Sequence, residues 1–242
     1  MYAKMSAKIL IFVFIATSVA AELPSYIRVC GRKNPDYNQC IAENLNSVKD
    51  KVCEGFPEFN VSPGAPLTVK KAVIYDTKEL KLYLQDVVIT RFCDYVISSV
   101  HVDSDRLHFS FNVTFNNLTI NALYNFDIHI LVPVVHEGPV NIQANVSLQI
   151  DIDAKVVTKN NKKEIYAAKV KENIFNIDFE YTFLETGKEL RQLHQVLTNV
   201  VDSSKKDVVR TIKPIIEQKF AQLVLLIFNG IARSNYEKLF PE

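Results

Sequence analysis

The sequence lacks tryptophan and has only six glycines among its 242 residues. It contains no glycine-rich loop that would hold nucleotide phosphates, and no Gly-x-Ser-x-Gly segment that would present a serine nucleophile. The five histidines, His101, His108, His129, His136 and His194, fall in no metalloprotease pattern. We therefore assign no catalytic residue, no metal ligand and no cofactor, and we do not expect an enzyme.

An excess of charge of either sign is also lacking. Lys and Arg together number 28 and Asp and Glu together number 27, which leaves a formal net charge of +1. A chain so close to neutrality has no overall field that would attract nucleic acid or an anionic membrane surface. Apolar residues make up 48% of the chain, which is enough for a large core, so a disordered chain is excluded as well.

Apolar segments of membrane-spanning length are lacking in the sequence pattern. Lys4 and Lys8 precede an apolar segment at residues 9–21, which is shorter than the roughly 20 residues needed to cross a bilayer. It ends in Val19-Ala20-Ala21, whose small side chains suit signal peptidase. The sequence predicts a signal peptide at residues 1–21, followed by a secreted, extracellular, single-domain protein at residues 22–242. We expect it to be a monomer without stable membrane insertion.

The cysteines Cys30, Cys40, Cys53 and Cys93 are even in number. In a secreted protein this number predicts two disulfides. Three pairings are possible, and proximity in the sequence favours Cys30 with Cys40 and Cys53 with Cys93.

Helical periodicity follows the first two cysteines. Apolar residues recur at Ile41, Leu45, Val48 and Val52, and Gly55 ends the pattern. This spacing predicts one short amphipathic helix.

The middle of the chain, residues 69–183, changes to a period of two, which is typical of strands with one buried face. Odd-numbered apolar residues from Leu107 to Phe115 give way to even-numbered ones from Leu118 onward. The change at Asn116-Asn117 predicts a β-bulge, because one extra residue reverses the faces of a strand. Further alternation predicts strands at residues 140–154 and 175–183, and an Asn- and Lys-rich loop is expected at residues 159–164.

Four Asn-x-Ser/Thr segments begin at Asn60, Asn112, Asn117 and Asn145, and they predict N-linked glycans. Asn112 and Asn145 lie at the polar positions of their strands. A glycan at either position would therefore project into water.

The end of the chain keeps helical spacing of apolar residues for about 40 residues, from Leu190 to Ile231. Ser203, Ser204 and Pro214 interrupt the pattern, and Pro214 predicts a kink or break near Arg210. A helix with so long an apolar stripe must lie against the apolar face of the strands. We therefore predict an α+β fold with a strongly curved antiparallel sheet wrapped around a long C-terminal helix.

Four segments resemble the takeout and juvenile hormone binding protein family of insects: Asn38-Gln39-Cys40, Gly55-Phe56-Pro57-Glu58, Pro66-Leu67 and the terminal Lys238-Leu239-Phe240-Pro241. The resemblance spans the mature chain in order and spacing. It implies a tubular lipid-binding fold with an apolar tunnel, a small hydrophobic ligand such as juvenile hormone, and no catalytic residues to transfer. The pair formed by Cys30 and Cys40 matches the N-terminal disulfide of that family.

If the implied tunnel is present, apolar residues of the inner sheet face and of the long helix are its expected lining. The candidate ligand-binding residues are Phe109, Phe111, Phe115, Leu118, Tyr124, Phe179, Tyr181, Phe183, Ile212 and Ile216. The hydroxyl of Tyr124 or Tyr181 is a candidate anchor for a polar end of the ligand. Two functions remain open: a carrier of a terpenoid or fatty-acid-like lipid, and a secreted glycoprotein with a filled interior that binds another protein.

Overall fold

The computed structural model describes residues 23–103, 107–129, 133–185 and 187–242. The predicted signal peptide at residues 1–21 lies outside the described residues. The predicted helix near the N-terminus is present as α1 (Tyr37–Ser47) and α2 (Lys49–Glu54), which meet at Val48. Before α1, the side chain of Asn34 accepts a hydrogen bond from the backbone N–H of Asp36 at 2.9 Å.

Six antiparallel strands form one sheet in the described part of the chain. They are β1 (Leu67–Asp76), β2 (Leu80–Thr90), β3 (Tyr95–Asp103), β4 (His108–His129), β5 (Pro133–Lys159) and β6 (Lys162–Phe183). The order in the sheet is β1-β2-β4-β5-β6, and β3 also pairs with β4. Strands β4, β5 and β6 have 22 to 27 residues, far more than the usual five or six, so they can curl around a helix as predicted.

The bulge predicted at Asn116-Asn117 is confirmed. Phe115 pairs with Val146 and Leu118 pairs with Ala144, and Asn117 has a left-handed φ of 55°. Before the bulge β4 pairs with β3, and after it β4 pairs with β2. The bulge thus marks the point where one long strand exchanges one neighbour for another while its apolar side chains stay on the inner face.

The loop predicted at residues 159–164 is shorter than expected. Only Asn160 and Asn161 separate β5 from β6, and both have positive φ, as in the tight turns that asparagine favours between paired strands.

The strand predicted at residues 175–183 is present as part of β6, but its alternation does not hold at Phe175. Ile174 pairs with Leu148 and Asn176 pairs with Ser147, so Phe175 is the extra residue of a second irregularity and is 60% exposed. Ile174 and Phe175 are both apolar, so the alternation is compatible with either of them on the inner face. In the structure Ile174 is the buried one.

The C-terminal helical region consists of α3 (Arg191–Ser203) and α4 (Lys205–Ala232), followed by the short α5 (Tyr236–Leu239). The break lies at Ser204, and Pro214 lies inside the continuous helix α4, so the alternative of a break near Arg210 is wrong. At the actual break, the hydroxyl of Ser203 donates to the carbonyl of Val200 at 3.1 Å, a local bond that competes with helix continuation.

The prediction that segments of membrane-spanning length are lacking is wrong for helix α4, which is long and apolar enough, by length and composition, to span a membrane. In this structure it lies instead on the inner face of the sheet, next to β6 and β1. Its apolar residues therefore have a place inside the fold, as the sequence pattern predicted.

Both disulfides have the pairing that sequence proximity favoured. Cys30–Cys40 attaches the segment before α1 to α1, and Cys53–Cys93 attaches α2 to the turn between β2 and β3. The Cys53–Cys93 bridge therefore connects the N-terminal helices to the sheet, whereas the Cys30–Cys40 bridge closes a loop within the N-terminal region.

We expect the Cys53→Ala/Cys93→Ala variant to lose more stability than the Cys30→Ala/Cys40→Ala variant. The Cys53–Cys93 bridge spans 40 residues and the Cys30–Cys40 bridge spans 10, and a longer closed loop restricts the unfolded chain more. The difference in the free energy of unfolding should be about 1 kcal/mol. Urea unfolding followed by circular dichroism measures it, and an equal or reversed loss would contradict this account.

Candidate functional site

A cavity of about 270 Å³ lies between α1, β3, the first half of β4 and the second half of α4. Its walls are almost entirely apolar, and they include Ile41, Leu45, Ile97, Phe109, Phe111, Phe115, Val224, Phe228, Leu239 and Phe240. Polar lining comes from Arg28 and Asn44 at the N-terminal side, and Asn44 donates its side-chain N–H to the backbone carbonyl of Arg28.

A second cavity of about 140 Å³ lies on the other side of α4's midpoint. Strands β1, β2, β5 and β6, the second half of β4, helix α3 and the first half of α4 enclose it. Its lining includes Leu118, Ile120, Tyr124, Ile142, Phe179, Tyr181, Phe183, Leu197, Ile212 and Ile216.

Phe220 of α4 borders both cavities. Its ring stacks on that of Phe115 of β4, with centroids 4.7 Å apart and planes inclined by 28°. This aromatic pair, next to the β4 bulge, lies between the two apolar spaces.

All ten residues predicted to bind the ligand line one of the two cavities. Phe109, Phe111 and Phe115 line the first, and the other seven line the second. That they contact a ligand stays a prediction. Sequence reasoning missed the contribution of α1 and of the C-terminal Leu239 and Phe240 to the first cavity, although the helical spacing of Ile41 and Leu45 already marked an apolar face without a partner.

The two tyrosines proposed as ligand anchors already have protein partners. The Tyr181 hydroxyl donates to Asp202 at 3.0 Å, and burial together with the nearby carboxylate raises the pKa of Tyr181 to about 12. The Tyr124 hydroxyl donates to Oε2 of Glu185 at 3.1 Å and lies 3.0 Å from Nε2 of His194. The donor of each hydroxyl is therefore engaged, which leaves the second cavity with little free polarity.

Glu172 of β6 introduces a carboxyl group at the contact between sheet and helix. It pairs across the sheet with Ile150, whose side chain lines the first cavity, and neither of its carboxyl oxygens has a hydrogen-bond partner among the described residues. Burial, together with the charge of Glu217 on α4, raises the pKa of Glu172 to about 8. The group is thus largely protonated at neutral pH.

The predicted glycosylation sites differ in exposure. Asn60, Asn117 and Asn145 are exposed, whereas Asn112 is half-buried. The side chain of Asn145 accepts a hydrogen bond from the backbone N–H of Asn117 at 2.9 Å. Glycan attachment stays a prediction at all four positions.

Comparisons with known proteins agree on family and fold. The family described as Haemolymph juvenile hormone binding protein matches residues 9–241. The solved structure of Takeout 1 from Epiphyas postvittana is similar with a TM-score of 0.64 and 16% sequence identity, over 85% of this chain and 97% of that one. A lipopolysaccharide binding protein is similar with a TM-score of 0.45 and 9% identity, over 80% of this chain and 38% of that one. No curated protein matches the sequence.

We expect Glu172→Gln to remove a pH-dependent loss of stability. The ordinary pKa of 4.5 applies to the unfolded chain, and the folded pKa is about 8, so between these values the folded protein retains a proton that the unfolded chain has released. Stability contributed by this proton is present below about pH 4.5 and is lost as the pH rises to about 8. At about pH 9 the variant should be more stable than the parent by on the order of 2 kcal/mol, a value reduced for the solvent that reaches this half-buried group.

Urea unfolding from about pH 5 to about pH 9 measures this difference. Glu180→Gln, at an exposed position of the same strand, is the matched control and should leave the pH dependence unchanged. A Glu172→Gln protein with the same pH dependence as the parent would show that Glu172 ionises normally.

Proposed function

Because the chain belongs to the haemolymph juvenile hormone binding protein family, we propose that it is a secreted carrier that encloses a small hydrophobic ligand in its two apolar cavities. The ligand class is a terpenoid of the juvenile hormone type or a fatty-acid-like lipid. Enclosure between the sheet and α4 shields such a molecule from water.

The apolar cavities are the observation that carries the proposal. A pocket lined by hydrophobic and aromatic side chains with few polar groups is typical of lipid and small-molecule sites. The alternative function requires a filled interior and an active outer surface, and the cavities on both sides of Phe220 favour the carrier.

The lining favours a ligand with little charge. Arg28 is the charged residue that lines the first cavity, and its guanidinium donates to Glu43 at 3.0 Å. Among the described residues, no charged side chain lines the second cavity. A neutral ester or alcohol fits these walls, and a fatty acid would place its carboxylate near Arg28.

The energetics suit a carrier. Burial of ten to fifteen carbons gives roughly 8 to 12 kcal/mol before losses. Lost freedom on association removes several kcal/mol, so affinities from micromolar to nanomolar follow.

Secretion is part of the proposal. The signal-like segment at residues 1–21 and the two disulfides support it, because disulfides persist in oxidising compartments. We propose that the carrier acts as a monomer and has no nucleic-acid partner.

Mass spectrometry of a solvent extract tests the proposal directly. The protein is expressed in insect cells, purified from the medium and extracted, and we expect one lipid in stoichiometric amount. A protein that yields no lipid, and that also fails to bind a fluorescent fatty acid and a juvenile hormone analogue, would leave the surface-acting alternative.

Larger side chains on the cavity walls should weaken binding. Val224→Phe fills part of the first cavity and Ile212→Phe fills part of the second. Each change removes space that ligand carbons would occupy, and loss of two or three buried carbons at about 0.8 kcal/mol each weakens binding by roughly tenfold or more. Fluorescence titration with the same fatty acid and hormone analogue measures the loss, and it also assigns each probe to one cavity.

Leu226→Phe is the matched control, because Leu226 lies on the same helix and is 49% exposed. It should change affinity less than about twofold, in line with surface substitutions generally. Equal losses in all three variants would point to a general disturbance of α4 and not to occupied cavities.

A further inference from the structure

Three side chains from separate parts of the chain converge beside the second cavity. His136 lies near the start of β5, Glu185 follows the end of β6, and His194 lies in the first turns of α3. Nε2 of His136 is 2.8 Å from Oε2 of Glu185, and Nε2 of His194 is 3.9 Å from the same oxygen. One potential ligand atom from each residue lies within 4.8 Å of the other two.

The surrounding structure holds these groups in place. The ring of His194 stacks on Phe183, with centroids 4.5 Å apart and planes inclined by 14°. A Cβ at position 138 would collide with the Glu185 carboxylate, so Gly138 provides the space that this carboxylate occupies. The hydroxyl of Tyr124 donates to Glu185 and lies beside His194, which orients both groups.

We propose that His136, Glu185 and His194 form a binding site for a divalent transition metal, with Zn²⁺ as the best fit. Two imidazole nitrogens and one carboxylate oxygen are a ligand set that zinc accepts, with a fourth position left for water or another donor. Tyr124 acts as an outer partner that fixes the carboxylate, a role that supports metal affinity in many sites.

The geometry requires only small movements. Tetrahedral ligands at about 2.0 to 2.1 Å from zinc are about 3.3 Å from one another. The observed separations of 2.8 and 3.9 Å from Oε2 of Glu185 lie on either side of that value. The side chains are 15% to 28% exposed, so an ion can reach them from solvent.

Within the described ranges, the other histidine and carboxylate pairs lack this arrangement. His108 contacts Asp153 through Nδ1 at 2.8 Å and Asp151 through Nε2 at 3.7 Å, so its two nitrogens face different carboxylates. This pair resembles an exposed surface ion pair, and His108 provides a natural control.

Isothermal titration with zinc chloride tests the site on protein secreted from insect cells, purified without a histidine tag and treated with a chelator. We expect one zinc ion per protein with micromolar or tighter affinity. His136→Asn, His194→Asn and Glu185→Gln should each weaken binding by at least about tenfold, and Tyr124→Phe by about tenfold. His108→Asn should leave affinity unchanged.

The visible spectrum of the Co²⁺-loaded parent protein provides a second readout that does not depend on variants. Strong absorption of a four-coordinate ion, displaced by zinc, supports the site. A parent protein that binds no zinc in the micromolar range, or shows only the weak spectrum of hydrated Co²⁺, overturns the proposal. Loss of binding in His108→Asn equal to that in the cluster variants overturns it as well. None of these results depends on which lipid fills the cavities.

Discussion

Burial of α4 against the inner face of the sheet is the contact on which both cavities depend. Strands of 22 to 27 residues extend over roughly 70 to 90 Å along their path, whereas the 28 residues of α4 extend over only about 42 Å. One helix is therefore too short and too narrow to cover the whole apolar face. Helix α3 covers the remainder at one end, and α1 with the C-terminal residues covers it at the other. The two cavities occupy the space that α4 leaves unfilled on each side of Phe220.

Much of this arrangement is predictable from the sequence, because the side chains on the inner face of each long strand are apolar along most of its length. Alternation identified the inner faces of β4, β5 and most of β6, and the reversal at Asn116-Asn117 located the bulge between the two cavities. Eight of the ten predicted ligand-binding residues lie on this inner face and the other two, Ile212 and Ile216, lie on α4, and all ten line one of the two cavities. A shift by one residue moves every later side chain to the opposite face, so it is visible where apolar and polar residues alternate cleanly, as they do in β4.

The errors occur where neighbouring residues satisfy two arrangements equally well. Ile174 and Phe175 are both apolar, so periodicity cannot decide which of them is the inserted residue in β6. Pro214 removes one helix hydrogen bond, but α4 continues through this position, and the break falls at Ser204. Contacts between distant segments are beyond periodicity altogether. Nothing local to His136, Glu185 or His194 indicates that they meet.

Two glutamates in the last part of the chain show how the surroundings decide the state of a carboxyl group. Glu172, on β6, meets the apolar helix interface and a second carboxylate, so burial and repulsion raise its pKa to about 8. Glu185, two residues beyond the end of the same strand, accepts hydrogen bonds from His136 and Tyr124, and these bonds lower its pKa. Glu172 is therefore neutral over a wider pH range, because burial disfavours its charged form, whereas hydrogen-bond donors favour the charged form of Glu185. The geometry separates the two groups further, because one carboxylate oxygen of Glu185 lies close to an imidazole nitrogen of both His136 and His194, and these three atoms are the proposed ligands of the cation.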